Sequence, residues 1–242
     1  LDVSYEHARQ VLHRLARDRW LVQIKPGKYE LIPAERGEYA FADTNPLFIG
    51  SVLVEPYYYT FTTAAFYHGL STQAGQIVYL ATTKGRPGQM LVREKEYRVV
   101  LQPEYKFFGF SEVDAYGSKV KMAGPEKTIL DSLDQPAYAG DIPEIAGMLR
   151  AGRSRLEWER LIEYAVHFRS KSLLQRLGYL IDQLALPIDM KIRNDLLVAT
   201  AGNTKCYLGQ LKRWQKGGEY NATWRVINNI PRSELYSEIE VA

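Results

Sequence analysis

RLARDRWLVQIKPGKYELIP, residues 14–33, runs from the end of a basic helix through an apolar stretch and a Pro-Gly turn into a second short strand. Just before and into it, in SYEHARQVLHRLARD, the apolar residues Ala8, Val11, Leu12 and Leu15 fall at i, i+3, i+4 and i+7. That spacing makes one face of an amphipathic helix, and Ser4 is placed to cap it. At about 100° per residue the opposite face carries Glu6, Gln10, His13 and Arg17, with Arg9 and Arg14 on its shoulders. WLVQIK then reads as a strand, Lys25-Pro26-Gly27-Lys28 as a type II turn with lysine on both sides, and YELI as the returning strand.

A short basic helix joined at once to a hairpin with a cationic tip is the second half of a winged helix-turn-helix. The helix would enter the major groove, where arginine and glutamine reach base edges, while the wing lysines meet phosphates. The competing reading, that these charges only solvate a surface helix, explains the helix but not the lysine-flanked hairpin attached to it. Earlier helices of such a domain are expected before Leu1, with residues 1–3 as the connecting turn, so the winged helix is read as truncated.

Composition bounds the rest. The chain has 242 residues, 46% of them hydrophobic and 24% charged, enough for one large core or one core with an accessory domain. A single cysteine, Cys206, leaves no disulfide framework or multi-cysteine zinc site and suits a reducing compartment, with the cytoplasm as the expected location. No apolar run approaches the roughly 18 residues of a membrane span, so no membrane role is expected. The net charge of +3 is compatible with nucleic acid but too small to argue for it without local clustering.

Residues 34–46, AERGEYAFADTNP, are polar with Gly37 and Pro46 as breakers and read as a linker. The organisation expected is therefore a partial winged helix over residues 1–33, a linker over 34–46, and an α+β domain over 47–242. Within that domain SVLVEPYYYTFTTAAFYHGLS is rich in aromatics, and IVYLATT, YRVVLQ and KVKMA read as strands. PEKTILDSLD opens a helix, with Pro125 suited to its first position. Helical patterns follow in IPEIAGMLRAG, LEWERLIEYAVHF, KSLLQRLGYLIDQLAL and IRNDLLVATAGN, giving strands first and helices later. Leu173, Leu177, Leu180 and Leu184 form a core stripe. Gly178 inside that helix costs about 1 kcal/mol relative to alanine, which implies a close neighbour.

Signatures of catalysis are sparse. There is no nucleophile elbow, Walker A loop or dinucleotide fingerprint, and GPEKT at residues 124–128 lacks the glycine spacing that wraps a phosphate. His7, His13, His68 and His167 are scattered, so no metal site is expected. Asp131 and Asp134 share a helix face at i, i+3 and could hold a cation or act as acid and base, but a solvated helix face is the plainer account. His68, among aromatics, reads as structural rather than as a base.

Several separated motifs together resemble the AbiEi-type antitoxins of bacterial type IV toxin-antitoxin systems. They are RLARDRWLVQIKPGKYELIP, AAFYHGLSTQ, AGPEKTILDSLDQPAYAGDIPEIA, RLGYLID and NATWRVINN, in that order over nearly the whole chain. The resemblance implies an N-terminal winged helix that represses its own operon at inverted-repeat operator DNA. It also implies a C-terminal domain that counteracts a nucleotidyltransferase-like toxin, with no cofactor and no catalytic residue. Carried over by position, the DNA-facing set is Tyr5, Arg9, Gln10, His13, Arg14, Arg17, Lys25 and Lys28. Pro125, Thr128, Asp131, Asp134, Arg176, Gly178 and Asp182 are antitoxin motif positions with no role assigned. Two alternatives stay open: an enzyme that modifies its toxin covalently, as an atypical kinase would, and a winged-helix transcription factor with a ligand-sensing domain and no toxin.

Overall fold

The computed structural model describes residues 4–32, 45–202 and 204–237. α1 (Tyr5–Arg17) begins where the Ser4 hydroxyl accepts the His7 N–H at 3.3 Å. It ends in a Schellman turn: Arg19 takes a positive φ of 62°, its N–H bonds the Ala16 carbonyl at 3.2 Å, and the Trp20 N–H reaches back to Leu15 at 2.9 Å. Chain direction therefore reverses within two residues. β1 (Leu21–Lys25) follows immediately and pairs antiparallel with β2 (Lys28–Leu31). Gly27, with φ of 79°, supplies the left-handed residue that the Pro-Gly turn requires.

Residues 33–44, nearly all of the expected linker, lie outside the described residues. Its last two residues start a helix instead. The Asn45 side chain accepts the Leu47 N–H at 3.0 Å, and Pro46 occupies the first turn of α2 (Pro46–Leu53).

A six-stranded mixed sheet follows, built from β3 (Tyr58–Tyr59), β4 (Ile77–Thr82), β5 (Gly88–Val92), β6 (Lys95–Leu101), β7 (Phe110–Ala115) and β8 (Ser118–Ala123) in the order β5-β6-β4-β3-β8-β7. β4 runs parallel to β6, β3 runs parallel to β8, and the two outer hairpins are antiparallel. α3 (Phe61–Tyr67) separates β3 from β4. The helical half comprises α4 (Pro125–Asp134), α5 (Ile142–Gly152), α6 (Trp158–His167), α7 (Lys171–Gln183) and α8 (Met190–Thr200). β9 (Cys206–Tyr207), β10 (Glu219–Asn221) and β11 (Val226–Asn228) form a small second sheet before α9 (Arg232–Leu235).

The molecule is thus a mixed α+β protein, but the simple order of strands then helices does not describe it. α2 and α3 intervene among the early elements, and three short strands come after α8. The edge strands β5 and β7 escape a periodicity reading because most of their residues stay partly or fully exposed, so they lack a continuous apolar face.

Two large clusters fill the interior. One lies among the helices, around Leu130, Leu133, Leu149, Leu161, Leu177 and Trp224. The other joins α2 to the large sheet and includes Ile24 of β1. α4 sits centrally, against α3, α5, α6 and α7. The N-terminal hairpin is therefore docked on the larger body, not merely tethered to it. Lys25 Nζ donates to the Leu53 carbonyl at 2.8 Å and Arg93 pairs with Glu30 at 2.7 Å. No helix among the described residues is long and apolar enough to cross a membrane.

Candidate functional site

α1 turns its basic face to solvent. Glu6, Arg9, Gln10, His13, Arg14 and Arg17 are all exposed and line one shallow concavity along the helix. Tyr5, at the start of the same helix, is 80% exposed. Ala8, Val11, Leu12 and Leu15 are half-buried on the other side. Glu6 sits in the first turn and Arg14 and Arg17 in the last, the distribution that the helix dipole favours. The ion pair of Arg17 Nε with Asp18 at 3.2 Å is exposed and contributes little. This face can donate hydrogen bonds to base edges or phosphates over the whole length of the helix.

The hairpin supplies less than its sequence suggests. Lys28 is exposed at the tip, as expected of a phosphate contact. Lys25 is not free to reach outward, because its ammonium bonds a carbonyl at the C-terminal end of α2. Such carbonyls lack partners within their own helix, so a lysine there is favourable. The other seven residues of the expected DNA-facing set are exposed.

The motif at α4 forms a buried polar centre instead of a surface. Asp131 and Lys127 have fully buried side chains and pair with each other one turn apart. Asp131 also accepts Tyr58 Oη at 3.1 Å and Thr60 Oγ1 at 2.6 Å, while Lys127 Nζ donates to Tyr58 Oη at 2.8 Å. The ammonium lies over the rings of Tyr58, Phe108 and Phe168. Burial pushes the Lys127 ammonium below its ordinary value against the pull of Asp131, and pushes the Tyr58 phenol well up, with Asp131 adding to that rise. Asp134 pairs with Lys106 Nζ at 2.7 Å.

Asp131 and Asp134 are thus each engaged by a lysine, and neither lies on a solvated face nor faces an open cation site. Pro125 sits in the first turn of α4, and the Thr128 hydroxyl bonds the Gly124 carbonyl at 2.8 Å. Glu126 accepts the Glu157 N–H at 2.9 Å, at the start of α6. His68 Nε2 donates to the Ala123 carbonyl at 2.6 Å, and burial lowers its pKa, which fits a neutral structural histidine.

The α7 motif has a comparable structural explanation. A Cβ placed on Gly178 would stand 2.2 Å from Cζ3 of Trp224, so the indole lies directly on the glycine. Trp224 Nε1 donates to Asp182 at 2.7 Å, and Arg193 grips the same carboxylate with two bonds of 2.8 and 2.7 Å. Burial raises the Asp182 pKa, but the hydrogen bonds from Arg193 and Trp224 and the guanidinium charge outweigh it, and the net shift is downward. Arg176 Nε donates to the Tyr207 carbonyl at 3.0 Å, and the Gln175 amide reaches the carbonyls of Thr204 and Trp224 at 2.9 and 3.1 Å. RLGYLID and NATWRVINN therefore meet as one packing unit that holds the second sheet on α7.

Sequence reasoning left Lys127, Tyr58, Thr60, Lys106, Trp224 and Arg193 without roles. A usable signal existed for Lys127, since it stands at i, i+4 from Asp131 in a helix flanked by Ile129, Leu130 and Leu133. Among the described residues no group of three or more His, Cys, Asp or Glu side chains is arranged to hold a metal ion.

No known protein family pattern matches the chain. No curated protein matches it either. Among solved structures, the crystal structure of the Rv2827c protein from Mycobacterium tuberculosis is similar, with a TM-score of 0.68 at 17% identity over 96% of this chain and 83% of that one. At that identity the likeness is one of fold.

Proposed function

We propose that this chain is a DNA-binding autorepressor and antitoxin of a type IV toxin-antitoxin operon, acting by binding and not by chemistry. The observation that carries the DNA-binding part is the face of α1 on which, among the described residues, Arg9, Gln10, His13, Arg14 and Arg17 are exposed together beside a hairpin whose tip presents Lys28. Arginine and glutamine there reach base edges in a major groove, and Lys28 meets the flanking phosphate. α1 and the β1–β2 hairpin are read as the recognition helix and wing of a winged helix-turn-helix. The antitoxin part rests on the resemblance to AbiEi-type antitoxins, whose partner is a nucleotidyltransferase-like toxin.

A gel-shift titration with a duplex from upstream of the gene tests the first part. Alanine at Arg9 and Gln10 should lose about 1 to 3 kcal/mol of discrimination per bidentate contact against a random duplex. Equal loss on both duplexes would remove α1 as the reading helix. Co-expression with the adjacent reading frame tests the second part, with restored growth as the supporting result and unrelieved arrest by soluble protein as the opposing one.

A further inference from the structure

We propose that Arg93, in the body of the protein, is a positioning residue for the wing, and that Lys25 is the second anchor of the same latch. The proposal rests on the DNA-binding reading above and adds to it that the body sets the wing's geometry on DNA.

The β1–β2 register is irregular between Gln23 and Lys25. An irregularity of this kind re-aims the side chains beside it. Ile24 is thereby buried in the cluster containing Leu47, Ile49 and Leu53, and Lys25 meets the Leu53 carbonyl. A hairpin of five and four residues is marginal by itself, so its direction follows from what it leans on. Its second strand is held by Glu30, whose Oε2 accepts a hydrogen bond from Arg93 Nη1 at 2.7 Å across 63 residues of sequence.

Arg93 reaches that carboxylate from an unfavourable backbone. Both central residues of the two-residue β5–β6 turn, Arg93 and Glu94, have positive φ, at 49° and 64°. This is the turn geometry for which Asn-Gly is preferred. A strained turn carrying a side chain that grips the wing is the pattern expected where geometry matters more than local stability. Arg93 lies outside α1 and the hairpin, and Lys25, although it flanks the turn, has its ammonium on the Leu53 carbonyl, so each acts on DNA only through the wing's orientation.

The test uses the whole chain, a duplex from upstream of its gene and a random duplex of equal length, titrated across a range of salt. In the variant Arg93→Asn with Glu94→Gly the turn is relaxed and the latch removed. Its melting temperature should hold or rise, its affinity for the upstream duplex should fall about tenfold, and its salt dependence should not change, because no phosphate contact is lost. Glu30→Arg should weaken binding likewise, and Glu30→Arg combined with Arg93→Glu should restore it. Lys28→Ala, as the contrast, should lower the salt slope by about 0.9.

Undiminished affinity in the Arg93 variant, with binding still weakened by Lys28→Ala, would overturn the latch and leave the DNA reading standing. A reduced salt slope in the Arg93 variant would make Arg93 a phosphate contact and also overturn it, as would failure of the reversed pair to restore binding. Absence of binding by the unaltered protein would overturn both.

Discussion

The six-membered ring of the Trp224 indole lies so close to Gly178 that a single added carbon would collide with it at 2.2 Å. The ring is further fixed by its bond to Asp182, so it cannot swing aside cheaply. Gly178→Ala should destabilise the protein, and Gly178→Leu more so, at about 1 to 3 kcal/mol or above for overpacking. Urea unfolding followed by tryptophan fluorescence measures this. An unchanged midpoint in Gly178→Leu would show that the ring has room to move.

Asp182 gives the same site a pH dependence. Its pKa is depressed in the folded chain, so its stabilising contribution is fully present above the unfolded value of about 3.9 and is lost as pH falls through the folded value. The urea midpoint of the parent should therefore drop in that acid range by more than that of Asp182→Asn. Parallel curves for the two proteins would contradict the assignment.

The buried Lys127–Asp131 pair should behave as a unit. Asp131→Ala alone leaves an ammonium in the core without its carboxylate and should cost about 3 to 5 kcal/mol. Lys127→Met alone strands the carboxylate and should cost a similar amount. Replacing both, as Lys127→Met with Asp131→Leu, should cost less than the sum, by about 0.5 to 3 kcal/mol of coupling. Additive losses would mean that the two charges do not depend on one another.

Lys25 and Lys28 stand on either side of one turn and should separate cleanly. Lys25→Ala removes a charge-assisted bond to the Leu53 carbonyl and should lower stability by about 1.5 to 3 kcal/mol. Lys28→Ala should leave stability within about 0.5 kcal/mol of the parent, since the side chain is exposed. Thermal melts of the two variants, compared with their DNA salt slopes, check both halves of the distinction.

A fragment beginning at Asn45 probes the dependence between hairpin and body. It retains the helical core but loses Ile24, whose burial is worth about 1.5 to 3 kcal/mol, together with the bond that Lys25 donates to Leu53 and the one that Glu30 accepts from Arg93. It should fold with a lower melting temperature than the whole chain. Identical melting temperatures would show that the hairpin adds nothing to the body.

The sequence by itself determines what local spacing controls. The period of Ala8, Val11, Leu12 and Leu15 with the Ser4 cap places α1 to within a residue, and Pro26-Gly27 places the turn. The helices from Pro125 to Thr200 follow from their own apolar periods and breakers. The glycine at 178 announced a close neighbour because its cost is local, although the neighbour itself was not legible. The exposed basic face of α1 belongs to the same class, since a helix fixes which of its residues share a side.

Only the tertiary structure decided which charges face solvent and which are enclosed. Lys25 and Lys28 are equivalent in sequence, yet the irregular register and the carbonyl of Leu53 turn one inward. Asp131 looks like part of a surface helix until β3 and the residue after it bring Tyr58 and Thr60, more than 70 residues away, against it. Trp224 reaches Gly178 and Asp182 from the turn between β10 and β11. In each case the deciding partner is distant along the chain, and burial depends on how whole elements pack, which no local period of the sequence encodes.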